Sequence, residues 1–150
     1  GLPFTIIRPT SLFENFLIPQ VKKGIVKGNF VQPIDRDTIQ QYIAAEDIGK
    51  AAAKIFLNSN KYLGRIIPLA SEQLSTWEVA GTFSKVLNKK MEYKKLPTII
   101  TRLFLGKNLY EMFKWINEKS IFPMEDVELT RKEFPNLLSL ESWIEINFKS

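Results

Sequence analysis

The sequence predicts an α/β fold in which strands and helices alternate at first and helices dominate later. Three observations indicate this fold. Short apolar runs rich in β-branched residues predict strands, and stretches with apolar residues three and four positions apart predict amphipathic helices. The chain of 150 residues fits one domain that is long enough to bury a core. No internal repeat, low-complexity tract or linker divides it.

The first predicted element is a strand at residues 4–7, an almost wholly apolar run. It lacks the polar alternation of a half-exposed strand, so we expect it to be buried on both faces, as in a parallel sheet. Pro9 is expected to end the strand, because proline cannot continue a central ladder. Thr10 or Ser11 is then expected to cap a short helix that stops near Pro19.

The next segment, residues 24–37, carries two glycines and a proline and predicts a loop or a weak hairpin. A strand is expected at residues 38–43. The clearest helix follows at residues 46–58, where two acidic residues in the first turn complement the helix dipole. Its apolar stripe consists of Ile48, Ala51, Ala52, Ile55 and Phe56.

The second half of the chain begins with a predicted strand at residues 65–69. Ser75 and Glu78 then match a capping box, which predicts a helix that runs to about residue 88. Its inward side chains are expected to be Val79, Phe83, Val86 and Leu87. A further strand is predicted at residues 91–96.

Residues 98–118 are predicted to be helical with a break at Gly106. The buried face of the second half of this helix is expected to carry Leu109, Met112, Phe113 and Ile116. A closing helix is expected to begin after Ser139, which caps it. One side of that helix carries Leu140, Trp143, Ile144 and Phe148.

The composition excludes several classes of chemistry. The chain has no cysteine and no histidine. Disulfide frameworks, thiol nucleophiles, zinc fingers and iron–sulfur sites are therefore excluded, and so are histidine-based triads. Catalysis has to use carboxylates, tyrosine, lysine, hydroxyls or a bound cofactor. Glu125, Asp126 and Glu128 are expected to form a solvated acidic turn, and no metal site is predicted.

The net charge of +5 is unevenly distributed. Residues 85–114 hold eight basic residues against two acidic ones. A basic stretch of this size can face an acidic cofactor, a nucleic acid or a membrane surface, but a solvated helix face is the favoured interpretation. No nucleic-acid partner is expected, because the aromatic interleaving of RNA-binding motifs is absent from the sequence.

Four ordered segments resemble one known family. Residues 1–17, GLPFTIIRPTSLFENFL, and residues 42–56, YIAAEDIGKAAAKIF, are similar to the NmrA-like, or atypical, branch of the short-chain dehydrogenase/reductase superfamily. Residues 75–79 match its Ser-x-x-Glu-apolar helix start, and residues 134–143 resemble its carboxyl-terminal end. The resemblance covers nearly the whole chain in the correct order.

The resemblance implies the late strands of a Rossmann-like NAD(P)-binding sheet plus a small, mainly helical substrate or cap subdomain. Full-length relatives are about twice as long and carry the glycine-rich dinucleotide loop in their first half. Residues 1–150 are therefore expected to form a single domain that is the carboxyl-terminal half of such a protein, without the dinucleotide-binding half. The implied cofactor of the full-length protein is NADP or NAD, and the fragment alone is expected to be inactive.

The resemblance also implies where ligands bind. The segment after the matched strand is expected to line the nicotinamide end of the cofactor cleft, with Pro9, Thr10, Ser11 and Phe13 as cofactor contacts. Glu14 and Asn15 are assigned to the substrate pocket. Two alternatives stay open. The four residues assigned to the cofactor can instead form a helix cap and part of the core. Glu14 and Asn15 can instead fix the turn between strand and helix.

Two functions are compatible with the resemblance. The first is NAD(P)H-dependent reduction of a small quinone or carbonyl-type acceptor, in which the cofactor supplies the chemistry. The second is a non-enzymatic, NADP(H)-responsive redox-sensing regulator that acts through protein partners. We expect a small-molecule substrate, a protein partner or homodimer, no membrane association and a cytoplasmic location, since no signal segment or apolar span is seen.

Tyr110 and Lys114 have the Tyr-x-x-x-Lys spacing of the superfamily's catalytic pair. In the superfamily that pair lies upstream of the strand matched by residues 4–7, so the resemblance argues against a catalytic role for it here. The predicted buried face of this helix also places both side chains on its flank or exposed face. No catalytic residue is therefore assigned.

Overall fold

The computed structural model of the protein describes residues 2–119 and 123–149. Gly1, which opens the first family-like segment, lies outside the described residues. In chain order the elements are β1 (Ile6–Pro9), β2 (Ser11–Leu12), a 3₁₀ helix (Phe13–Leu17), α1 (Pro19–Val26), β3 (Asn29–Gln32), β4 (Ile39–Ile43), α2 (Ala45–Leu57), α3 (Ser59–Tyr62), β5 (Ile66–Leu69), β6 (Glu72–Ser75), α4 (Thr76–Val86), β7 (Glu92–Lys95), α5 (Thr98–Lys119), α6 (Glu125–Glu133) and α7 (Leu140–Phe148).

The strands of the described residues form three small groups, and the α/β prediction is confirmed. β1 pairs with β5 in parallel, and β3 pairs with β7 in parallel. β4 lies between β2, which is parallel to it, and β6, which is antiparallel. Parallel neighbours need helical connections between them, which the intervening helices provide.

The first strand differs from the prediction in position and in burial. It includes Pro9, which lies opposite Leu69. Ile6 donates its backbone N–H to Arg65, just before β5, and Thr10 donates to Leu69 of β5. The position of Pro9, which has no N–H, therefore faces away from that strand. The expected burial on both faces is wrong for the described residues. Ile6 is 46% exposed, and among the described strands β1 pairs only with β5.

The turn after β1 also differs from the prediction. The short helix exists as a 3₁₀ turn, but it follows Leu12 and has no side-chain cap, so the expected capping by Thr10 or Ser11 is wrong. Pro19 does not stop a helix. It occupies the first turn of α1, where a missing N–H costs nothing.

Residues 24–37 were predicted to be a loop or hairpin, but they contain the end of α1 and strand β3. Asn29 pairs with Glu92 and Gln32 with Lys95, in parallel. Because its partner β7 is so distant in sequence, the residues around β3 do not indicate a strand, and β3 was not predicted. Strand β6 and helix α6 were missed as well.

The helices predicted from capping residues and apolar periodicity are confirmed. Ser75 and Glu78 form the capping box of α4, and Ser139 caps α7 by accepting from the backbone N–H of Ser142. Helix α2 buries Ala51 and Ile55 as expected. Phe56, assigned to the same stripe, is 81% exposed, so that assignment is wrong for this chain.

In the part of the chain that the structure describes, the buried apolar side chains form two clusters. The larger is aromatic, and the rings at its centre are Phe13, Phe16, Phe30, Tyr42, Phe83 and Trp143. The smaller cluster consists of Ile43, Ala51, Ile55, Tyr62, Ile67, Leu69 and Phe134. The larger one joins the turn after β1 to β3, α4 and α7, so it holds that turn against the carboxyl-terminal helix.

Helix α5 has the predicted break, since Gly106 has a φ of 80°, a conformation that favours glycine. The predicted buried face is wrong in part, because Leu109 and Met112 are both more than 40% exposed. The helix face that packs towards the rest of the molecule carries Tyr110, Phe113 and Asn117. Of these, only Phe113 belongs to the predicted buried face. Within the described residues no helix is long and apolar enough to span a membrane.

Candidate functional site

The turn between β1 and β2 lies at the carboxyl end of a parallel strand pair, where open α/β sheets bind their ligands. Pro9 is exposed there, and Thr10 and Ser11 are half-buried. The Thr10 hydroxyl donates to the Leu69 carbonyl of β5 at 3.2 Å. The Ser11 hydroxyl lies 3.5 Å from the side-chain oxygen of Gln40, at the limit of a hydrogen bond. Both hydroxyls are therefore held at the same edge of the molecule.

Phe13 differs from these three residues because its side chain is fully buried. Its ring stacks on Tyr42 with centroids 5.9 Å apart and packs against Trp143 at 5.6 Å. The ring supports the turn from beneath, within the aromatic cluster. In this chain it has no surface on which a nicotinamide could lie.

Glu14 and Asn15 have separate surroundings. One carboxylate oxygen of Glu14 accepts from the backbone N–H of Ala45 at 3.0 Å, and the other accepts from the indole N–H of Trp143 at 3.1 Å. Both oxygens are thus used to fix the turn. Asn15 is exposed. The structure brings Glu14 to the first turn of α2 and leaves Asn15 at the surface.

A row of buried polar side chains lies beneath the turn. The Gln40 amide donates to the Tyr42 hydroxyl at 2.8 Å, and burial raises the pKa of Tyr42 well above its usual value. The phenol is therefore neutral at physiological pH. The neighbouring Gln41 is 1% exposed, and its side-chain oxygen has no hydrogen-bond partner among the described residues. Consecutive glutamines in a strand were the one sequence signal for this row, and our reasoning missed it.

A cavity of about 260 Å³ lies between α5 and the segments that follow β3 and β7. Tyr110 and Lys114 both line it, with Tyr110 half-buried and Lys114 exposed, in agreement with the flank or exposed face expected for them. Asn117 holds this face of α5 against the segment that follows β3. Its side-chain oxygen accepts from the Asp35 backbone N–H at 2.7 Å, and its nitrogen donates to the Pro33 carbonyl at 3.1 Å. These bonds turn the face of Tyr110 towards the cavity.

The wall opposite α5 is held by an ion pair and by a half-buried phenol. Lys95 forms an ion pair with Asp35. The Tyr93 hydroxyl donates to the Ile34 carbonyl at 2.5 Å. Burial raises the pKa of Tyr93, and the nearby carboxylates of Asp35 and Asp37 raise it further. This wall is thus anchored by backbone and side-chain bonds.

The acidic segment predicted as a solvated turn is partly helical, since α6 begins at Glu125. Asp126 is half-buried and Glu128 is exposed. Within residues 2–119 and 123–149, no group of three or more acidic side chains is placed to hold a metal ion.

Comparison with known proteins identifies relatives over most of the chain. The sequence model of the NmrA-like family matches residues 1–144. Prestalk A differentiation protein A of Dictyostelium discoideum is 26% identical over 129 residues, which are 84% of this chain and 42% of that protein. The chain therefore spans less than half the length of this relative.

Solved structures show the same fold at lower identity. Triphenylmethane reductase of Citrobacter sp. has a TM-score of 0.80 at 16% identity, over 100% of this chain and 54% of that one. An NADPH-dependent quinone oxidoreductase of Escherichia coli has a TM-score of 0.78 at 18% identity, over 99% and 56%. A negative transcriptional regulator, NmrA, in complex with NAD has a TM-score of 0.73 at 20% identity, over 99% and 53%.

Proposed function

The chain belongs to the NmrA-like family, as its sequence resemblance predicted, and from that premise we propose that it is the substrate-side half of an NAD(P)-binding reductase. The proposed reaction is reduction of a small quinone or carbonyl-type acceptor by NAD(P)H. The dinucleotide-binding half of the protein is proposed to precede residues 1–150. Two of the solved neighbours are named triphenylmethane reductase and NADPH-dependent quinone oxidoreductase, which supports this class of acceptor.

The observation that carries the proposal is the uncovered apolar edge at β1 and β5. Among the described residues β1 pairs only with β5, and side chains on both strands are exposed, with Ile6 at 46% and Ile66 at 54%. Leu2 and Phe4, just before β1, are exposed as well. Parallel strands are normally covered on both faces. A dinucleotide-binding half that continued this sheet would cover the edge.

The turn after β1 fits the nicotinamide end of the cofactor and not its phosphates. The sequence has no glycine-rich loop to cradle a pyrophosphate. A carboxamide needs one donor and one acceptor. Thr10 directs its hydroxyl hydrogen to Leu69, so its oxygen can accept from the carboxamide nitrogen. Ser11, which makes only a long contact with Gln40, can donate to the carboxamide oxygen.

In the proposed reaction, the residues of this chain contribute by orienting the cofactor. When bound, NAD(P)H supplies the hydride that reduces the acceptor, and solvent supplies the proton. Thr10 and Ser11 would hold the carboxamide and so orient the nicotinamide. Glu14 keeps the turn rigid through Ala45 and Trp143, and Phe13 supports it from the core. Such fixed geometry is how a protein lowers the barrier for cofactor chemistry.

The test uses a protein that carries this chain behind its dinucleotide-binding half. Oxidation of NADPH is followed by absorbance with a panel of quinones and aromatic carbonyl compounds. Thr10→Val is expected to raise the KM for NADPH about tenfold, the cost of one lost hydrogen bond to the cofactor. Thr5→Val is the matched control, because the Thr5 hydroxyl also donates to a carbonyl, that of Tyr62, at the opposite end of β1. Absence of NADPH oxidation with every acceptor contradicts the proposal.

A second candidate is an NADP(H)-responsive regulator that acts through protein partners. The observation that favours it is the outer face of α5, where Ile99 and Leu103 are about four-fifths exposed beside the basic Arg102 and Lys107. Exposed apolar side chains rimmed by charge are typical of protein-binding surfaces. The solved NmrA is a negative transcriptional regulator by name. NADPH binding without any NADPH oxidation, together with cofactor-dependent partner binding, would favour the regulator.

A further inference from the structure

Strand β7 has one paired edge and one free edge. Leu96 donates its backbone N–H to Gln32 of β3 at 2.8 Å, and Glu92 donates on the same side, to the residue just before β3. Alternate residues of a strand direct their backbone groups to opposite edges, so Tyr93 and Lys95 direct theirs away from β3. Among the described residues β7 pairs with no strand except β3, and neither of these N–H groups has an acceptor. Such a row of free donors and acceptors is a template for another strand.

The other edge of this two-stranded sheet is covered. By the same alternation, the backbone carbonyl of Asn29 in β3 points away from β7. Helix α1 passes that carbonyl at Gly24, where a Cβ atom would lie 3.1 Å from the carbonyl oxygen. The side chains of Glu92, Lys94 and Lys95 on β7 are exposed instead. Of the two edges, that of β7 is therefore the one that a further strand can reach.

We propose that β7 pairs with β7 of a second copy of this chain, antiparallel and across a two-fold axis between the two Tyr93 residues. Each Tyr93 then donates its backbone N–H to the backbone carbonyl of the other, which gives two reciprocal hydrogen bonds. Lys95 pairs in the same way with the second copy's Met91. The result is one continuous sheet of four strands, in the order β3, β7, β7, β3.

The charges on β7 select this partner and this register. The exposed side chains of Glu92 and Lys94 lie on the same face of the strand, 3.3 Å apart. With Tyr93 opposite Tyr93, each Glu92 lies directly opposite the second copy's Lys94, at positions where cross-strand side chains approach most closely. The next registers that keep the backbone bonds are two residues away on either side. They place Glu92 opposite Glu92 or Lys94 opposite Lys94, so like charges exclude them.

The same charges explain why the edge does not pair without limit. Lysines on an edge strand normally prevent pairing with other strands. On β7 the glutamate two residues before Lys94 removes that repulsion for an antiparallel copy in one register only. Pairing across a two-fold axis also uses the free edge of both copies, so the assembly closes as a dimer.

The dimer is expected to be weak and reversible. One short strand from each copy buries less than the about 1,200 Å² of a stable interface. Exposed charge pairs add little to affinity and are screened by salt. We therefore expect a dissociation constant on the order of 0.1 mM, which rises with ionic strength.

Charge reversal tests the pairing by sedimentation equilibrium of the 150-residue chain at concentrations up to about 1 mM. Glu92→Lys is expected to weaken self-association about tenfold, because both cross-strand pairs then oppose two lysines, and Lys94→Glu does the same with two glutamates. The double variant Glu92→Lys/Lys94→Glu is expected to restore it. An equimolar mixture of the two single variants is also expected to form dimers, since each supplies the charges that the other lacks.

Two controls change the net charge by the same amounts elsewhere. Glu111→Lys and Lys107→Glu, at exposed positions of α5, are expected to leave self-association unchanged. Amide hydrogen exchange gives a second measurement. The N–H groups of Tyr93 and Lys95 are expected to exchange more slowly as the concentration rises, whereas that of Lys94, directed towards β3, is expected to be unaffected.

Three results overturn the proposal. They are a chain that stays monomeric at about 1 mM, self-association that is insensitive to the reversals on β7, and single variants that do not pair when mixed. Association through the open edge at β1 and β5 would give the second of these results. The dimer does not depend on the proposed reduction, so absence of NADPH oxidation leaves this inference untouched, and the reverse also holds.

Discussion

The carboxylate of Glu14 accepts a hydrogen bond from the indole nitrogen of Trp143, 129 residues later in the chain, at 3.1 Å. The other oxygen of the same carboxylate accepts from the backbone N–H of Ala45. One side chain thus joins the turn after β2 to the first turn of α2 and to α7. Any ligand that binds beside Thr10 depends on this connection for the position of its turn.

Glu14→Ala is expected to destabilise the chain by about 1–3 kcal/mol, because the indole N–H of Trp143 would be left buried without a partner. Asn15→Ala, at the exposed neighbouring position, is expected to change stability by less than about 0.5 kcal/mol. Urea denaturation measures both variants. Equal stability of Glu14→Ala and the parent would contradict the structural role of Glu14.

Ile55→Ala is expected to cost about 2–4 kcal/mol, because Ile55 is buried in the smaller core cluster and its removal leaves a cavity. Phe56→Ala changes the adjacent residue of α2, whose ring is 81% exposed in this chain. It is expected to alter stability by about 0.5 kcal/mol or less. Thermal and urea unfolding compare the two. A Phe56→Ala loss as large as that of Ile55→Ala would mean that the helix faces the other way.

Acid is expected to weaken the contact between α3 and α6. Glu133 accepts hydrogen bonds from the Lys61 ammonium and the Tyr62 hydroxyl, and these lower its pKa below the ordinary value of 4.5. A carboxyl whose pKa is lower in the folded state stabilises the fold above its unfolded pKa. That contribution is lost as the pH falls from about 4.5 through the lower folded value.

Stability measured between pH 3 and pH 7 checks this expectation. Glu133→Gln is expected to flatten the acid limb of the curve, since a neutral amide has no proton to gain. Glu128→Gln, on the exposed face of the same helix, is expected to leave the limb unchanged. A curve of the same steepness in Glu133→Gln and in the parent would contradict the assignment.

The 150-residue chain by itself is expected to bind NADPH only weakly. The turn at Thr10 and Ser11 offers contacts to the nicotinamide end, but the sequence has no glycine-rich loop for the pyrophosphate. Titration calorimetry with NADPH measures this directly. Micromolar affinity would show that the chain holds a complete dinucleotide site and would overturn the proposed division into halves.

Much of the local structure could be predicted from the sequence, because it depends on residues close together in the chain. The capping box of Ser75 and Glu78, the cap at Ser139 and the break at Gly106 are all confirmed. The order of segments also identified the family, and with it the turn at Thr10 as the candidate cofactor edge. These features need no knowledge of which elements meet in space.

The sequence by itself therefore determined the α/β class, the family and the helices α2, α4, α5 and α7. The tertiary structure decided which faces and edges are covered. Asn29 pairs with Glu92 across 63 residues, and Asn117 turns α5 by bonding to Asp35. Apolar periodicity shows which side of a helix is apolar, but it does not show what that side packs against. The sequence of one strand does not show which other strand it pairs with. Contacts between distant residues therefore brought Tyr110 to the cavity and left Ile6 at an open edge.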